Sequence, residues 1–151
     1  MSRSRRPAPR VLYVAEPAAA WSERPPAVVD CSVMAAVLWA EPAAPQASAQ
    51  LAGRSLHAPA LLGCELANVA RNKCRSGVPE GVARAGLQAY AEQRLVLHDA
   101  EPATLLDLAQ QYALTAYDAA YLALALKLRA PLITFDQRLA DAATRALGQP
   151  D

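Results

Sequence analysis

The chain has 151 residues, a hydrophobic fraction of 54% and a formal net charge of +1. This length is sufficient for one domain with a buried core. The near-neutral charge excludes a protein that binds nucleic acid over its whole surface, so any such contact must come from local clusters of cations. No apolar run approaches the ~20 residues that span a bilayer, and the N-terminus lacks the pattern of a signal peptide.

The three cysteines and two histidines do not form a recognisable site. Cys31, Cys64 and Cys74 are odd in number and lack CxxC spacing, so neither a disulfide framework nor a zinc site is expected, and a cytoplasmic protein is favoured. Cys31 and Cys64 each adjoin an acid and are predicted to be small core residues. His57 and His98 are expected at strand ends, without a catalytic role.

Residues 1–26 are predicted to form a poorly packed N-terminal extension. They contain five of the chain's arginines and five of its prolines, which is typical of a solvated tail. The alternative is an arm that contacts RNA phosphates or a partner. The folded domain is predicted over residues 27–151.

Within the domain, short apolar strands alternate with helices. This alternation predicts a parallel sheet with helices on both faces. Sites in such sheets form outside the carboxyl ends of the strands. In chain order the predicted elements are strand 27–30, helix 33–40 capped by Ser32, helix 46–53, strand 56–58, helix 60–75, helix 79–93, strand 94–97, helix 101–112, helix 115–128, strand 131–135 and helix 137–147.

Asp118 is the only charged residue in residues 114–125, LTAYDAAYLALA. Thr115 and Asp118 fit a capping box, which explains the pair without any chemistry. However, residues 119–126 are apolar on every side of the helix, so the helix should be buried and its first turn should face the interior or a cleft. An ionised carboxylate there requires a partner, and we expect that partner to be a divalent metal.

Three further acids are candidates for the same site. Asp30 ends the first strand, although it could equally be a helix N-terminal acid without chemistry. Glu65 shares a helix face with Asn68, which could also be an ordinary solvent face. Asp136 follows the last strand, on the same side as Thr134, but could simply cap the last helix.

Together, the four acids predict a site for a hard divalent cation. Mg²⁺ and Mn²⁺ prefer oxygen ligands, and Ser32, Asn68 and Thr134 are nearby polar helpers. Several cations near the acids could flank a groove for substrate phosphates or belong to solvated helix faces: Arg71, Lys73, Arg75 and Arg138.

Four segments resemble the PIN-domain ribonucleases, and within them the VapC-type toxins of bacterial toxin–antitoxin pairs. The segments are VVDCS (28–32), CELANVAR (64–71), LTAYDAAYLALA (114–125) and LITFDQRLADAA (132–143). The resemblance implies a three-layer α/β/α sandwich with a central, mainly parallel sheet of about four to five short strands. It also implies a Mg²⁺- or Mn²⁺-dependent endoribonuclease that hydrolyses RNA phosphodiester bonds with a metal-activated water.

The resemblance further assigns roles to residues and partners. Metal ligands are implied at Asp30, Glu65, Asp118 and Asp136, with Ser32, Asn68 and Thr134 as helpers. A homodimer is implied, held inactive by a cognate VapB-type antitoxin whose C-terminal part lies across the active-site groove. The chain departs from the family in its long N-terminal extension and in residues 148–151, which are too short for the usual final edge strand.

Two alternative functions differ in kind from an endoribonuclease toxin. The first is a PIN-like module that binds RNA or protein without cleavage, and the complete set of four acids argues against it. The second is a different Mg²⁺-dependent phosphohydrolase, such as a phosphatase. Against this, Asp30-Cys31-Ser32 lacks the second aspartate of a DxD motif, and there is no glycine-rich phosphate loop.

Overall fold

A computed structural model describes residues 24–148 of the chain. Almost all of the N-terminal extension predicted at residues 1–26 therefore lies outside the described residues. Residues 149–151, which belong to the tail predicted to be too short for an edge strand, also lie outside them. The elements are, in order, β1 (Pro26–Val29), α1 (Cys31–Leu38), α2 (Ala44–Leu51), β2 (Ser55–Pro59), α3 (Leu62–Arg75), α4 (Glu80–Ala91), β3 (Leu95–His98), α5 (Pro102–Tyr112), α6 (Ala116–Leu128), β4 (Leu132–Ile133) and α7 (Gln137–Leu147).

The four strands form one parallel sheet in the order β3-β2-β1-β4. Val28 of the central strand β1 is in register with His57 of β2 on one side and with Leu132 of β4 on the other. Since both neighbours run parallel to β1, the carboxyl ends of β1 and β4 lie side by side. This confirms the parallel α/β fold and brings the segments after Val29 and Ile133 together.

Two apolar clusters cover the two faces of β1, because successive strand residues point to opposite sides. Val29 packs in one cluster with Met34 of α1 and with Leu62 and Leu66 of α3. Val28 packs in the other cluster, with Tyr121 and Leu124 of α6 and Leu139 of α7. The sheet is therefore the middle layer of an α/β/α arrangement.

Helix α6 is buried as its sequence predicts. Residues 119–122 are at most 1% exposed, and Leu124 and Ala125 are also buried. Its ends are fixed by Thr115, which caps the first turn, and by Arg129, which adopts a left-handed backbone conformation at the C-terminus. A buried helix with a capped first turn holds Asp118 at a defined position.

The predicted elements occur in the predicted order, and each end lies within two residues of its predicted position. One local prediction is wrong: Ser32 does not cap the first helix. Helix α1 begins at Cys31, and its N-cap is Asp30, whose carboxylate accepts a hydrogen bond from the Ser32 backbone N–H. Asp30 therefore caps a helix as well as ending a strand.

Two further expectations are corrected by the fold. Cys31 is buried as predicted, but Cys64 is exposed on α3, because it lies on the side of the helix away from Leu62 and Leu66. His57 lies inside β2 and not at a strand end, whereas His98 does end β3. Within residues 24–148, no helix is both long and apolar enough to cross a membrane.

Candidate active site

Asp30 is the centre of a hydrogen-bond network at the carboxyl ends of β1 and β4. Its side chain is only 6% exposed. Its Oδ2 atom accepts hydrogen bonds from Ser32 Oγ at 2.7 Å, from Thr134 Oγ1 at 2.8 Å and from Ser32 N at 3.3 Å. Because these donors converge on Oδ2, the carboxylate is held in one orientation while Oδ1 is left for another ligand.

The hydroxyls that bind Asp30 also receive hydrogen bonds from the segment after β4. Ser32 Oγ accepts from Phe135 N at 3.0 Å, and Thr134 Oγ1 accepts from Asp136 N at 2.9 Å. Asp136 in turn caps α7 through a 3.1 Å hydrogen bond from Leu139 N to its Oδ1 atom. The two strand ends are thus joined by side chains that the sequence separates by about a hundred residues.

Glu65 is fixed by a contact that the sequence reasoning missed. The hydroxyl of Tyr121 donates to Glu65 Oε1 at 2.5 Å, a distance typical of a hydrogen bond to an ionised carboxylate. Tyr121 is fully buried in α6. A tyrosine in an otherwise apolar buried helix needs a polar partner, and its i+3 spacing from Asp118 puts it on the same helix face, so the sequence did contain a signal.

Asp118 lies in the first turn of α6, where Thr115 Oγ1 accepts a 3.1 Å hydrogen bond from Asp118 N. This confirms the predicted capping contact. The Thr115 side chain also forms a hydrogen bond with the Asp118 carboxylate, which lowers the pKa of Asp118. Arg138 lies close enough to lower the pKa of Asp118, and its guanidinium also donates to Ala113 O at 2.7 Å.

The electrostatics of the acids show that they form one cluster. Burial raises the pKa of Glu65; the Tyr121 hydrogen bond opposes this, and the negative charges of Asp30 and Asp118 add to it. Burial also raises the pKa of Asp118; the Thr115 hydrogen bond and Arg138 oppose this, while Asp136 and Asp30 add to it. Mutual repulsion of this kind requires the four carboxylates to lie near one another.

The remaining predicted residues are the polar helper Asn68 and the cations near the acids, and most of them form no hydrogen bond with the site acids. Asn68 is exposed on α3, one turn after Glu65, and takes no part in the hydrogen bonds described above. Lys73 has a structural role, because its Nζ atom lies 2.7 Å from Glu41 and 5.3 Å from the centre of the Trp39 ring. Arg71 and Arg75 are exposed on the same helix, and only Arg138 has an electrostatic effect on a site acid.

Cys31 is adjacent to the acids but is not suited to chemistry. Burial, and then the charges of Glu65 and Asp30, raise the pKa of its thiol to about 12. The thiolate is therefore essentially absent at neutral pH, and Cys31 serves as a small packing residue.

The donor set fits a hard divalent cation. All four candidate ligands are carboxylates, and the pKa values of Glu65 and Asp118 are raised first by burial and then by the neighbouring negative charges, which a cation would offset. Over residues 24–148 no three acid, histidine or cysteine side chains already stand in a metal-holding arrangement. The carboxylates would therefore have to adjust their side-chain conformations around an ion.

Comparisons with known proteins agree with the fold. The family model described as "PIN domain" matches residues 27–144. Among solved structures, the chain is similar to the crystal structure of PAE2754 from Pyrobaculum aerophilum, with a TM-score of 0.64 and 21% identity over 82% of this chain and 88% of that one. A search of curated proteins found no match. Since the family model covers most of the chain and contains all four acids, the chain belongs to the PIN domain family.

Proposed function

We infer that the protein is a cytoplasmic endoribonuclease that depends on Mg²⁺ or Mn²⁺. The observation that carries this proposal is the clustering of Asp30, Glu65, Asp118 and Asp136 at the carboxyl end of the sheet, with mutual repulsion between them. Membership of the PIN domain family supports a nuclease over other uses of such a cluster.

In this proposal the four acids hold the cation directly or through water, and their neighbours fix their orientation. Asp30 is oriented by Ser32 and Thr134, and Glu65 by Tyr121. When bound, the cation would lower the pKa of water towards neutrality and offset negative charge on the phosphoryl oxygens. The same charge would oppose the raised pKa values of Glu65 and Asp118 and so favour their ionised forms.

The chain's own residues then position the substrate and the attacking water. Asp136 is exposed and uses Oδ1 for its helix cap, so its other oxygen can accept a hydrogen bond from the attacking water. Arg138 is exposed next to this group and can contact a substrate phosphate, since the hydrogen bond to Ala113 occupies one nitrogen of a guanidinium with five N–H donors. The bond between phosphorus and the leaving ribose oxygen breaks as the water attacks.

We also infer that the protein is a VapC-type toxin, forms a homodimer and is inhibited by a small VapB-type antitoxin. The support is the motif resemblance, in which LTAYDAAYLALA and LITFDQRLADAA carry two of the site acids. A short upstream reading frame encoding a DNA-binding protein, whose product abolishes RNA cleavage when added, is the expected finding. An isolated gene with no such neighbour would count against the toxin role alone.

The proposed activity is tested by RNA cleavage with Mg²⁺, with Mn²⁺ and with EDTA. We expect cleavage only with a divalent cation, and a loss of about 100-fold or more in Asp118→Asn, the scale on which one electrostatic catalytic group acts. Asp141→Asn is the matched control, because Asp141 is an exposed acid of α7 whose carboxylate accepts a hydrogen bond from Gln137. Undiminished cleavage by Asp118→Asn would refute the assignment, and binding without cleavage by the wild type would favour a silent RNA-binding module.

A further inference from the structure

Two large aromatic side chains are exposed at positions that directly precede site acids in the sequence. Tyr117 is 65% exposed and precedes Asp118, and Phe135 is 45% exposed and precedes Asp136. Phe135 is the chain's only phenylalanine, so its exposure is not part of a general surplus of phenylalanine. Isolated exposed apolar residues are normal on protein surfaces. Two exposed rings that each adjoin a site acid instead indicate a shared role at the site.

The position of Phe135 is set by the same network that orients Asp30. Its backbone N–H donates to Ser32 Oγ at 3.0 Å, so the chain that carries the ring is tied to the end of β1. Tyr117 is likewise fixed at its backbone, because it lies in the first turn of α6 next to the Thr115 cap. Neither ring depends on a flexible loop for its place.

Phe135 also forms one wall of a cleft between β4 and α2. The cleft has a volume of about 370 Å³, and its lining includes Val33, Gln46, Gln50, Arg54 and Thr134. Each glutamine amide offers both a hydrogen-bond donor and an acceptor, the combination that the edge of a nucleobase requires. A cleft lined by an aromatic ring and by amides is suited to a flat heterocycle with a polar edge.

We propose that Tyr117 and Phe135 are stacking platforms for unpaired bases of an RNA strand, and that the cleft beside Phe135 receives one base. This proposal rests on the endoribonuclease assignment and makes single-stranded RNA, or the loop of a folded RNA, its substrate. In a duplex the base faces are covered by stacked neighbours, whereas unpaired bases can stack on aromatic side chains.

The charge of the molecule is consistent with this mode of binding. A net charge of +1 and four clustered acids leave little electrostatic attraction for RNA phosphates. A contact that does not require cations would therefore add to the affinity that local cations such as Arg138 supply, and base stacking is such a contact. Arg54, at the cleft, is also partly engaged, because its Nε atom donates to Gln50 O at 3.0 Å.

The test is the binding of a short unstructured RNA that contains 2-aminopurine, compared with the same RNA in a duplex. Binding is measured by anisotropy in Ca²⁺, with a gel to verify that the RNA stays intact, and 2-aminopurine fluorescence reports stacking. We expect tighter binding of the single strand, with quenched fluorescence. Tyr117→Leu and Phe135→Leu should each weaken binding by about 5- to 100-fold, the range found for loss of one stacked base, and relieve the quenching.

Conservative variants and a remote control separate stacking from surface hydrophobicity. Tyr117→Phe and Phe135→Tyr keep a ring and should retain most of the affinity. Leu106→Ala removes a 57% exposed apolar side chain from α5 and should not affect RNA binding. Circular dichroism and unfolding curves for every variant verify the fold, which exposed substitutions should preserve.

Each other outcome has a definite meaning. Equal affinity for strand and duplex, or unchanged binding by both leucine variants, would overturn the proposal even if the protein cleaves RNA. If the leucine variants instead alter self-association in light scattering and leave RNA affinity unchanged, the rings belong to a protein interface and the proposal is wrong. If the wild type binds with quenching but never cleaves RNA, the endoribonuclease assignment fails while the stacking role stands.

Discussion

A carboxylate as buried as Asp30 is stable only because its charge is matched by directed donors. An unpaired polar group in this position would cost several kcal/mol, whereas hydrogen bonds to a charged acceptor return about 1.5–3 kcal/mol each. Ser32 supplies these donors from the first turn of α1, and Thr134 from the loop that follows β4. Their hydroxyls are therefore part of the fold as well as of the candidate site.

Tyr121→Phe should reveal how Glu65 is held, because it deletes only the hydroxyl that donates to Oε1. We expect the free energy of unfolding in EDTA to fall by about 1–2 kcal/mol, since Glu65 loses a hydrogen bond in a partly buried position. Cleavage of RNA should fall as well, because the Glu65 carboxylate is no longer oriented. Urea unfolding and initial cleavage rates measure the two effects.

The matched control for this hydroxyl deletion is Tyr90→Phe, on the half-buried tyrosine of α4. It should alter neither cleavage nor stability by a comparable amount. If Tyr121→Phe were as stable and as active as the wild type, the hydrogen bond to Glu65 would have no part in positioning the acid.

Among the elements, α4 depends on a close approach to α1 and its C-terminal cap. A Cβ atom at Gly86 would lie 2.2 Å from Cε2 and 2.3 Å from Nε1 of Trp39, which is closer than atoms can pack. The Trp39 ring also donates through Nε1 to Ala83 O at 3.3 Å and lies beneath the ammonium of Lys73. The absence of a side chain at Gly86 thus allows α1, α3 and α4 to meet.

Gly86→Ala should therefore destabilise the protein although alanine is the better helix former. Overpacking costs about 1–3 kcal/mol and the gain in helix propensity is at most about 1 kcal/mol, so we expect a net loss of about 1–2 kcal/mol. Gly81→Ala on the same helix is the control, because nothing lies within 4 Å of the added Cβ atom. It should be neutral or stabilising in urea unfolding, and equal effects of the two substitutions would contradict the packing argument.

Across the whole molecule, the sequence predicts local features well and distant contacts poorly. The order of strands and helices follows from apolar runs and from prolines and caps, and the Thr115 cap of α6 was correctly predicted. The contacts of Thr134 with Asp30, and of Tyr121 with Glu65, join residues 104 and 56 positions apart. Such pairings depend on strand order and helix packing, which no local pattern specifies.

The local errors also have physical causes. Ser32 and Asp30 are both good N-cap residues, and their competition is decided by the end of β1, which leaves Asp30 extended at the helix start. Cys64 is predicted to be buried because its side chain should point away from that of the adjacent acid, Glu65. Its exposure follows from the orientation of α3, which buries Leu62, Leu66 and Ala70 instead.

The acid cluster should make the stability of the metal-free protein depend on pH. Glu65 and Asp118 have folded-state pKa values raised above their ordinary values of 4.5 and 3.8. Between the unfolded-state and folded-state pKa values, the folded protein therefore retains protons that the unfolded chain has released. The contribution of these groups to the free energy of unfolding is lost as pH rises through their folded-state pKa values. Below pH about 4 this contribution is fully present.

The double variant Glu65→Gln/Asp118→Asn isolates this contribution, because its amides do not titrate. In EDTA, the unfolding free energy of the wild type minus that of the variant should decrease from pH 4 towards pH 7. Urea unfolding of both proteins at several pH values measures this difference in the free energy of unfolding. A difference that is constant or grows with pH would mean that the pKa values of Glu65 and Asp118 are not raised in the folded protein.

The central claim is that the four carboxylates together bind a divalent cation, and calorimetric titration with Mn²⁺ near pH 7 tests it most directly. We predict saturable binding that weakens as the pH is lowered from 7, because protons compete with the cation for the carboxylates of Glu65 and Asp118, whose pKa values are raised. Asp118→Asn should weaken binding by about 10-fold or more, whereas Asp141→Asn should not. Failure of the wild type to bind Mn²⁺, or equally tight binding by Asp118→Asn, would contradict the claim.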